Sequence, residues 1–337
     1  MKIAVIGYGY WGPNLVRNFS WTKGISVKYV CDRDPSQLER VKGMFPNVEQ
    51  TTTDLEVVLA DPEIEAIAIS TPTSSHYPVA KAALEAGKHV LVEKPMTETY
   101  AQGKELCELA EAKGLTLMTD HTFIYTGAVK KIAELVQSGE IGDVYYFDSV
   151  RVNLGLFQND VNVLWDLAPH DLSIMMYAIG KTPKSVSAHG MAHVEGQPVN
   201  IAYMTVYFED NTIAHFHVNW LSPIKVRMTL IGGTKKMIVW DDLLNTEKIK
   251  VYDTGVHLAD SREDVYKSLV QYRTGDMWAP KLENQEALRV ECAHFVESIQ
   301  NKTEPMTSGR FGLTIVAMLE AAEQSLEEQG RIIPLEL

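Results

Sequence analysis

The stretch "KIAVIGYGYWGPNLVRNF", residues 2 to 19, constrains the architecture of this chain more than any other. "IAVI" reads as a buried strand, and "PNLVRNF" as a helix with proline in its first turn. Between them stand Gly7, Gly9 and Gly12, although glycine loses the most backbone entropy on folding and packs nothing. A strand-to-helix turn around a phosphate explains all three. Gly7 permits the sharp turn, Gly9 lets backbone amides approach a pyrophosphate, and Gly12 allows close packing of helix on strand. The helix N-terminus adds partial positive charge. Asp32 ends the next strand candidate, twenty residues beyond Gly12. Its carboxylate can accept hydrogen bonds from both ribose hydroxyls of a dinucleotide and would repel a 2′-phosphate, so the pattern favours NAD over NADP. Arg33, next in line, could stack on adenine or tolerate NADP. Tyr10 and Trp11 are bulky for such a loop and either shape the cofactor pocket or pack on the surface.

The first ~120 residues alternate short apolar runs with helical stretches, the pattern of a parallel sheet wrapped by helices. Strands are predicted at "IAVIG", "SVKYVCD", "AIAIST", "HVLVEK" and "LTLMTD". Downstream, period-two alternation takes over. Ala202, Met204, Val206 and Phe208, then Ala214, Phe216 and Val218, fall on one strand face. Further strands are expected at "DVYYFDSVRVN", "KSVSAHGMA", "KVRMTLIGG" and "KKMIVWDD", making a large, mainly antiparallel open sheet. Two helices, about 284–300 and 309–328, carry apolar stripes through Leu288, Cys292, Phe295 and Ile299, and through Phe311, Ile315, Met318, Ala322 and Leu326. The expectation is therefore an α/β chain in two domains. Residues 1–120 form a doubly wound Rossmann domain, and 121–337 an α+β domain for substrate binding and oligomerisation.

Composition narrows the partners. Among 337 residues, 31 basic against 44 acidic side chains leave a net charge of −13, which would repel nucleic acid and anionic membrane. No apolar run approaches the ~20 residues that span a bilayer, and the N-terminus lacks the order of a signal peptide. Cys31, Cys107 and Cys292 are odd in number and far apart, without CxxC spacing. They suggest neither a disulfide framework nor a thiolate metal site. A reducing, cytoplasmic compartment is expected. His215 and His217 form a His-x-His pair, but no third ligand is evident in the sequence, so a polar sheet face or an oligomer contact is the expectation and no metal is predicted.

The segment "EAGKHVLVEKPM", residues 85 to 96, resembles the signature of the glucose-fructose oxidoreductase / inositol dehydrogenase / MocA family. The glycine loop, "ISTPTSSH" and "WDLAPHDLSIM", residues 165 to 175, agree with it. The resemblance implies that Lys94 of Glu93-Lys94-Pro95 reaches both the nicotinamide ribose and a substrate hydroxyl. It makes Asp166 and His170 an Asp-xxx-His pair beside the reacting carbon, and it makes Thr71, Pro72 and His76 line the cofactor. Assembly as a homodimer or homotetramer is implied as well. Two stretches depart from better-known sugar dehydrogenases: "DHTFIY" stands where many have Asn and Arg, and "VNVLW" where many have glycines. "NWLSPIKVRMTLIGG" and "WDLAPHDLSIM" look more like the nucleotide-sugar branch.

Oxidising a secondary alcohol with NAD needs a base within hydrogen-bond reach of the hydroxyl. Lys94 and His170 are the candidates. Histidine titrates near neutrality, and Asp166, four residues earlier on the same helical face, could fix its tautomer. His170 is thus expected as principal acid or base, Lys94 as positioning and electrostatic partner, and Asp166 as orienter. In some family members lysine takes the proton-transfer role. Asp166 also reads as an ordinary N-terminal helix acid, with Asp171 merely exposed. Trp165, Tyr125, Phe157, Arg151 and Asn153 lie in stretches that could reach the pocket mouth. Of these Trp165 is assigned to cofactor, and Tyr125 and Asn153 to substrate; core packing or surface charge explains the group equally well.

The expected activity is hydride transfer between NAD and a ring secondary alcohol or ketone of a sugar, nucleotide-linked to UDP or dTDP. An inositol or free-sugar dehydrogenase is the alternative enzyme. A dinucleotide-sensing regulator is the alternative of another class, and it would have no need to keep Lys94, Asp166 and His170 together.

Overall fold

The computed structural model describes residues 1–155, 161–258, 270–273 and 275–337. Phe157 lies outside the described residues. The chain divides into two compact units, one of Met1–Tyr125 with Gln285–Ala317 and Leu337, the other of Thr126–Asn284 with Met318–Glu336.

In the first unit β1 (Lys2–Ile6), β2 (Ser26–Cys31), β3 (Gln50–Thr52), β4 (Ile64–Ile69), β5 (His89–Glu93) and β6 (Leu117–Asp120) form one sheet. Its order is β3-β2-β1-β4-β5-β6, and every pairing is parallel. Parallel strands covered on both faces need apolar side chains at successive positions, which is why Ile3–Ile6, Ala66–Ile69 and Val90–Val92 are buried without a break. Helices α1 (Gly12–Trp21), α2 (Pro35–Met44), α3 (Leu55–Ala60), α4 (His76–Glu85) and α5 (Tyr100–Lys113) lie between the strands in the chain. Asp34 caps α2 by accepting from the Ser36 amide, and Thr99 caps α5 by accepting from the Gln102 amide. Gly114, at φ 64°, closes α5 in the left-handed conformation that glycine adopts without strain. The strand order reverses at β1, so the carboxyl ends of β1 and β4 flank the crevice where such sheets take ligands. Strand β3 and helix α3 went unanticipated, since three and six residues are too few to display a period.

The second unit holds α6 (Gly127–Gln137), β7 (Val144–Leu154), α7 (Val163–Ile179), β8 (Pro183–Met191), β9 (Ile201–Phe208), β10 (Ile213–Asn219) and β11 (Leu221–Gly233). It continues with β12 (Met237–Asp241), β13 (Ile249–Tyr252), β14 (Gly255–Leu258), β15 (Val270–Arg273) and β16 (Met277–Trp278), and regains β17 (Ile333–Pro334) near the end. Nine strands make one sheet in the order β16-β13-β12-β11-β7-β10-β9-β8-β17, while β14 and β15 pair separately. All neighbours in the large sheet are antiparallel except β7 and β10. One face buries Ala202, Met204, Val206, Phe208, Ala214, Phe216 and Val218 beneath α7. The opposite face is half exposed, and there Tyr203 stacks on His217 with ring centroids 4.5 Å apart.

Helices α8 (Ala287–Asn301) and α9 (Gly309–Glu327) follow. The expectation that everything after residue 120 forms one domain is corrected by α8, which belongs to the first unit. Its stripe is the reason: Leu288, Cys292 and Phe295 are buried, and the Phe295 ring meets Phe19 of α1 edge-on at 6.3 Å.

Candidate active site

The glycine loop links β1 to α1. Gly7 has φ +91°, and a Cβ there would lie 2.7 Å from the Ser70 carbonyl oxygen. Its amide donates to the Cys31 carbonyl at 2.8 Å, and its carbonyl accepts from Ser70 Oγ at 2.9 Å, pinning the turn between β2 and β4. At Gly12 a Cβ would collide with the Gly7 carbonyl oxygen, whereas one on Gly9 would meet nothing within 4 Å. The loop thus needs two glycines for itself and leaves open space at the third. Helix α1 begins at Trp11 without a side-chain cap; Pro13 has no N–H and the Asn14 amide donates to the Trp11 carbonyl at 2.9 Å, so what the helix start offers an anion is the Gly12 amide and the positive end of its dipole. Asp32 completes the frame: Oδ2 accepts from the Tyr8 amide at 2.6 Å and Oδ1 from the Asp34 amide at 2.8 Å. Arg33 is exposed, and Tyr10, 94% exposed, points away from the core.

Beyond β4, Thr71 and Pro72 lead into a short 3-10 turn. Thr71 Oγ1 is buried and finds no hydrogen-bond partner among the described residues. His76 is buried, with Nδ1 2.9 Å from the Pro95 carbonyl and Nε2 2.9 Å from the Thr71 carbonyl. Burial lowers its pKa, against the pull of those two carbonyls. His76 therefore ties the segment after β4 to the one after β5. Lys94 follows β5 directly and precedes a cis peptide bond to Pro95.

Three carboxyls crowd this end of the first unit. Asp120 ends β6, is 3% exposed, accepts from Trp11 Nε1 through Oδ2 at 3.0 Å, and accepts from the Thr122 hydroxyl through Oδ1. Burial, and then neighbouring Asp120, push the Glu93 carboxyl well above the usual range, with Lys94 opposing. Glu291 of α8 is pushed the same way, by burial first and then by Asp120 and Glu93. Next to Asp120, burial takes the His121 ring down to about 3, a neutral imidazole set edge-on to Phe311. The sequence reading assigned no role to Asp120, His121 or Glu291. Only the unusual "DHTFIY" marked the spot.

In the second unit Asp166 stands in the first turn of α7, which Asn162 caps by accepting from the Leu164 and Trp165 amides. Asp166 Oδ2 accepts from Trp220 Nε1 at 3.0 Å, and Trp220 is fully buried. His170 follows on the same helix, and its carbonyl accepts from Ser173 Oγ at 2.7 Å. Asn153 is half-buried near the end of β7.

Three expectations are corrected. Tyr125, assigned to substrate, is 1% exposed and sets its hydroxyl 3.2 Å from Thr307 Oγ1, which makes it a core residue of the first unit. Trp165, assigned to cofactor, is buried, with its indole donating to Glu323 Oε2 at 3.1 Å. Asp171, read as merely exposed, is buried: 3% accessible, it accepts from both arms of a buried Arg151, at 2.7 and 2.9 Å.

Residues 1–121 match the family model for oxidoreductases with an NAD-binding Rossmann fold, and residues 129–239 match the GFO/IDH/MocA C-terminal domain. The chain belongs to the GFO/IDH/MocA oxidoreductase family. An uncharacterised oxidoreductase of Schizosaccharomyces pombe is 37% identical over 202 residues, which cover 56% of this chain and 54% of that protein. The chain thus spans about half the length of that relative. The scyllo-inositol 2-dehydrogenase (NADP(+)) IolW of Bacillus subtilis is 28% identical over 246 residues, 69% of this chain and 63% of that one. Among solved structures, UDP-N-acetylglucosamine 3-dehydrogenase GnnA from Acidithiobacillus ferrooxidans superimposes with a TM-score of 0.79 at 23% identity, covering 97% of this chain and 98% of that one. The GFO/IDH/MocA family is one of enzymes, and its relatives here carry the names of oxidoreductases and dehydrogenases. The first unit accordingly contains an NAD-binding Rossmann domain.

Proposed function

We propose that the chain is an NAD-dependent oxidoreductase that moves hydride between nicotinamide and a ring secondary alcohol or ketone of a sugar, nucleotide-linked to UDP or dTDP. The observation that carries the cofactor half is the loop itself. The space beside Gly9 and the uncapped start of α1 suit a pyrophosphate, Asp32 suits the adenosine ribose, and the orphaned Thr71 hydroxyl is a buried polar atom that a ligand would satisfy. NAD, when bound, accepts or supplies the hydride. Lys94 then positions and polarises the substrate oxygen, His170 takes or returns its proton, and Asp166, steadied by Trp220, orients His170. Asn153 is assigned to substrate.

The nucleotide-sugar preference is supported by the "NWLSPIKVRMTLIGG" and "WDLAPHDLSIM" stretches and by the likeness to GnnA. Similarity to IolW favours a second reading, an inositol or free-sugar dehydrogenase. A cofactor domain followed by a substrate and oligomerisation domain, dimeric or tetrameric assembly, and a cytoplasmic address belong to the same proposal. Its support is the half-exposed face of the nine-stranded sheet and three buried, free cysteines. No helix among the described residues is long and apolar enough to cross a membrane.

The test is to incubate the protein with NAD and a panel of UDP-, dTDP- and GDP-sugars, free sugars and inositols, following NADH absorbance. Turnover of a nucleotide sugar is expected. Turnover of free polyols alone would move the assignment to the second reading, and NADH binding without turnover of anything would identify a sensor.

A further inference from the structure

Glu291 lies in the first half of α8, 0% exposed, and neither of its carboxyl oxygens has a hydrogen-bond donor among the described residues. An ionised carboxylate left so would carry a large desolvation cost, whereas a carboxylic acid would not, provided its O–H found an acceptor. The acceptor is at hand. The Asp120 carboxyl neighbours Glu291, and the Thr122 hydroxyl donates to Asp120 Oδ1 rather than to Glu291. Asp120 in turn accepts from Trp11 Nε1 at 3.0 Å, and Trp11 is the residue at which α1 starts without a side-chain cap. The indole bond fixes the Trp11 side chain at the helix start without occupying a backbone amide of α1.

We infer that Glu291 is a positioning residue for the dinucleotide loop: its protonated carboxyl donates to Asp120, and the Asp120 carboxylate so held anchors the Trp11 indole at the start of α1. The inference rests on the proposed function in so far as that helix start binds NAD. The groups facing Glu291 are Asp120 and Glu93 at the strand ends, Thr122, and Cys292 on its own helix, with Lys94 and His121 beside Glu93 and Asp120. Burial and the two carboxyls hold its proton on well above the usual glutamate range, as the donor role requires.

The test is NADH affinity by titration calorimetry on the full chain: wild type, E291Q, E291L, W11F and the W11F/E291L pair. E291L should weaken binding about tenfold, the scale of losing a hydrogen bond to a charged group. E291Q, whose amide still donates, should stay within about twofold, and the double variant should bind no worse than W11F. Wild-type affinity for E291L, an E291Q as weak as E291L, or losses that multiply in the double variant would each overturn the inference. Should E291L fail to fold, E291Q decides by pH: wild-type affinity should fall in alkaline buffer as Glu291 ionises, E291Q should lack that fall, and parallel profiles would refute the donor role. If the wild type binds no NADH, the cofactor reading is lost. The coupling is then read from Trp11 fluorescence, isolated by subtracting W11F, which should shift in E291L and not in E291Q; no shift in either would sink it.

Discussion

Trp11 and Asp120 are joined by a 3.0 Å hydrogen bond although β4 and β5 lie between their strands in the sheet. The bond therefore runs across the carboxyl edge of the Rossmann sheet, from the glycine loop to the end of β6. It encloses the strand ends that carry Thr71 and Lys94, the crevice in which a cofactor is expected.

The three glycines are not equivalent. Gly9→Ala should fold with a near wild-type melting temperature, because its Cβ meets nothing, yet lose NADH binding. Gly12→Ala should lose both, by more than about 2 kcal/mol in stability, since the colliding atom is backbone. Paired melting curves and NADH titrations check this, and equal stability of the two variants would contradict it.

Asp32→Ala should raise KM for NAD at least about tenfold while barely changing KM for NADP, because the 2′-phosphate no longer meets a carboxylate. Its two bonds to the Tyr8 and Asp34 amides make a stability loss of about 1–3 kcal/mol the accompanying effect. Steady-state kinetics with both cofactors decide, and an equal rise in the two constants would rule out the ribose assignment.

Lys94→Ala and His170→Ala should each reduce turnover about 10²- to 10⁴-fold with NADH affinity kept, the scale of losing a general acid or base. Near-normal rates in either variant would remove that residue from the chemistry.

Arg151 and Asp171 form a two-armed ion pair with both side chains almost wholly buried. Asp171→Ala removes both charge-assisted hydrogen bonds from a buried guanidinium and should cost about 3–5 kcal/mol in urea unfolding, whereas replacing both by apolar residues of similar volume should recover most of it. A single variant within about 0.5 kcal/mol of wild type would mean that the charge finds another partner.

Acid should expose the Asp61 contribution. Hydrogen bonds from Lys28 first, then from the Glu63 amide and Tyr29, hold its carboxyl down to about 2, below the usual 3.8. A depressed folded pKa means stabilisation that is present above the unfolded value and lost as pH falls through the folded one. Wild type should lose stability relative to Asp61→Asn as pH drops from about 4 to about 2. Chemical denaturation across that range is the measurement, and parallel curves would count against the pairing.

The parallel strands were legible because burial on both faces demands unbroken apolar runs, and the turn at Gly7 because only glycine adopts its geometry. The antiparallel strands from β7 to β12 were legible in their alternation. Strands β13 to β16 were not, being short segments whose partners, not their own periodicity, make them strands. The cofactor half of the site could be read because its chemistry depends on local spacing. Asp120 and Glu291 could not, since 171 residues separate them and a lone acid says nothing until the fold removes water from it. Tyr125 and Trp165 were misplaced for a related reason: an aromatic side chain looks the same in a sequence whether it lines a pocket or fills a core.

The return of α8 to the first unit also bears on biosynthesis. Phe19 is made near the beginning of translation and Phe295 near its end, so the ribosome must emit most of the chain before the early aromatic ring is covered. Until then the Phe19 ring lacks its Phe295 partner, and the nascent nucleotide-binding half carries an apolar seam that its own early sequence cannot seal.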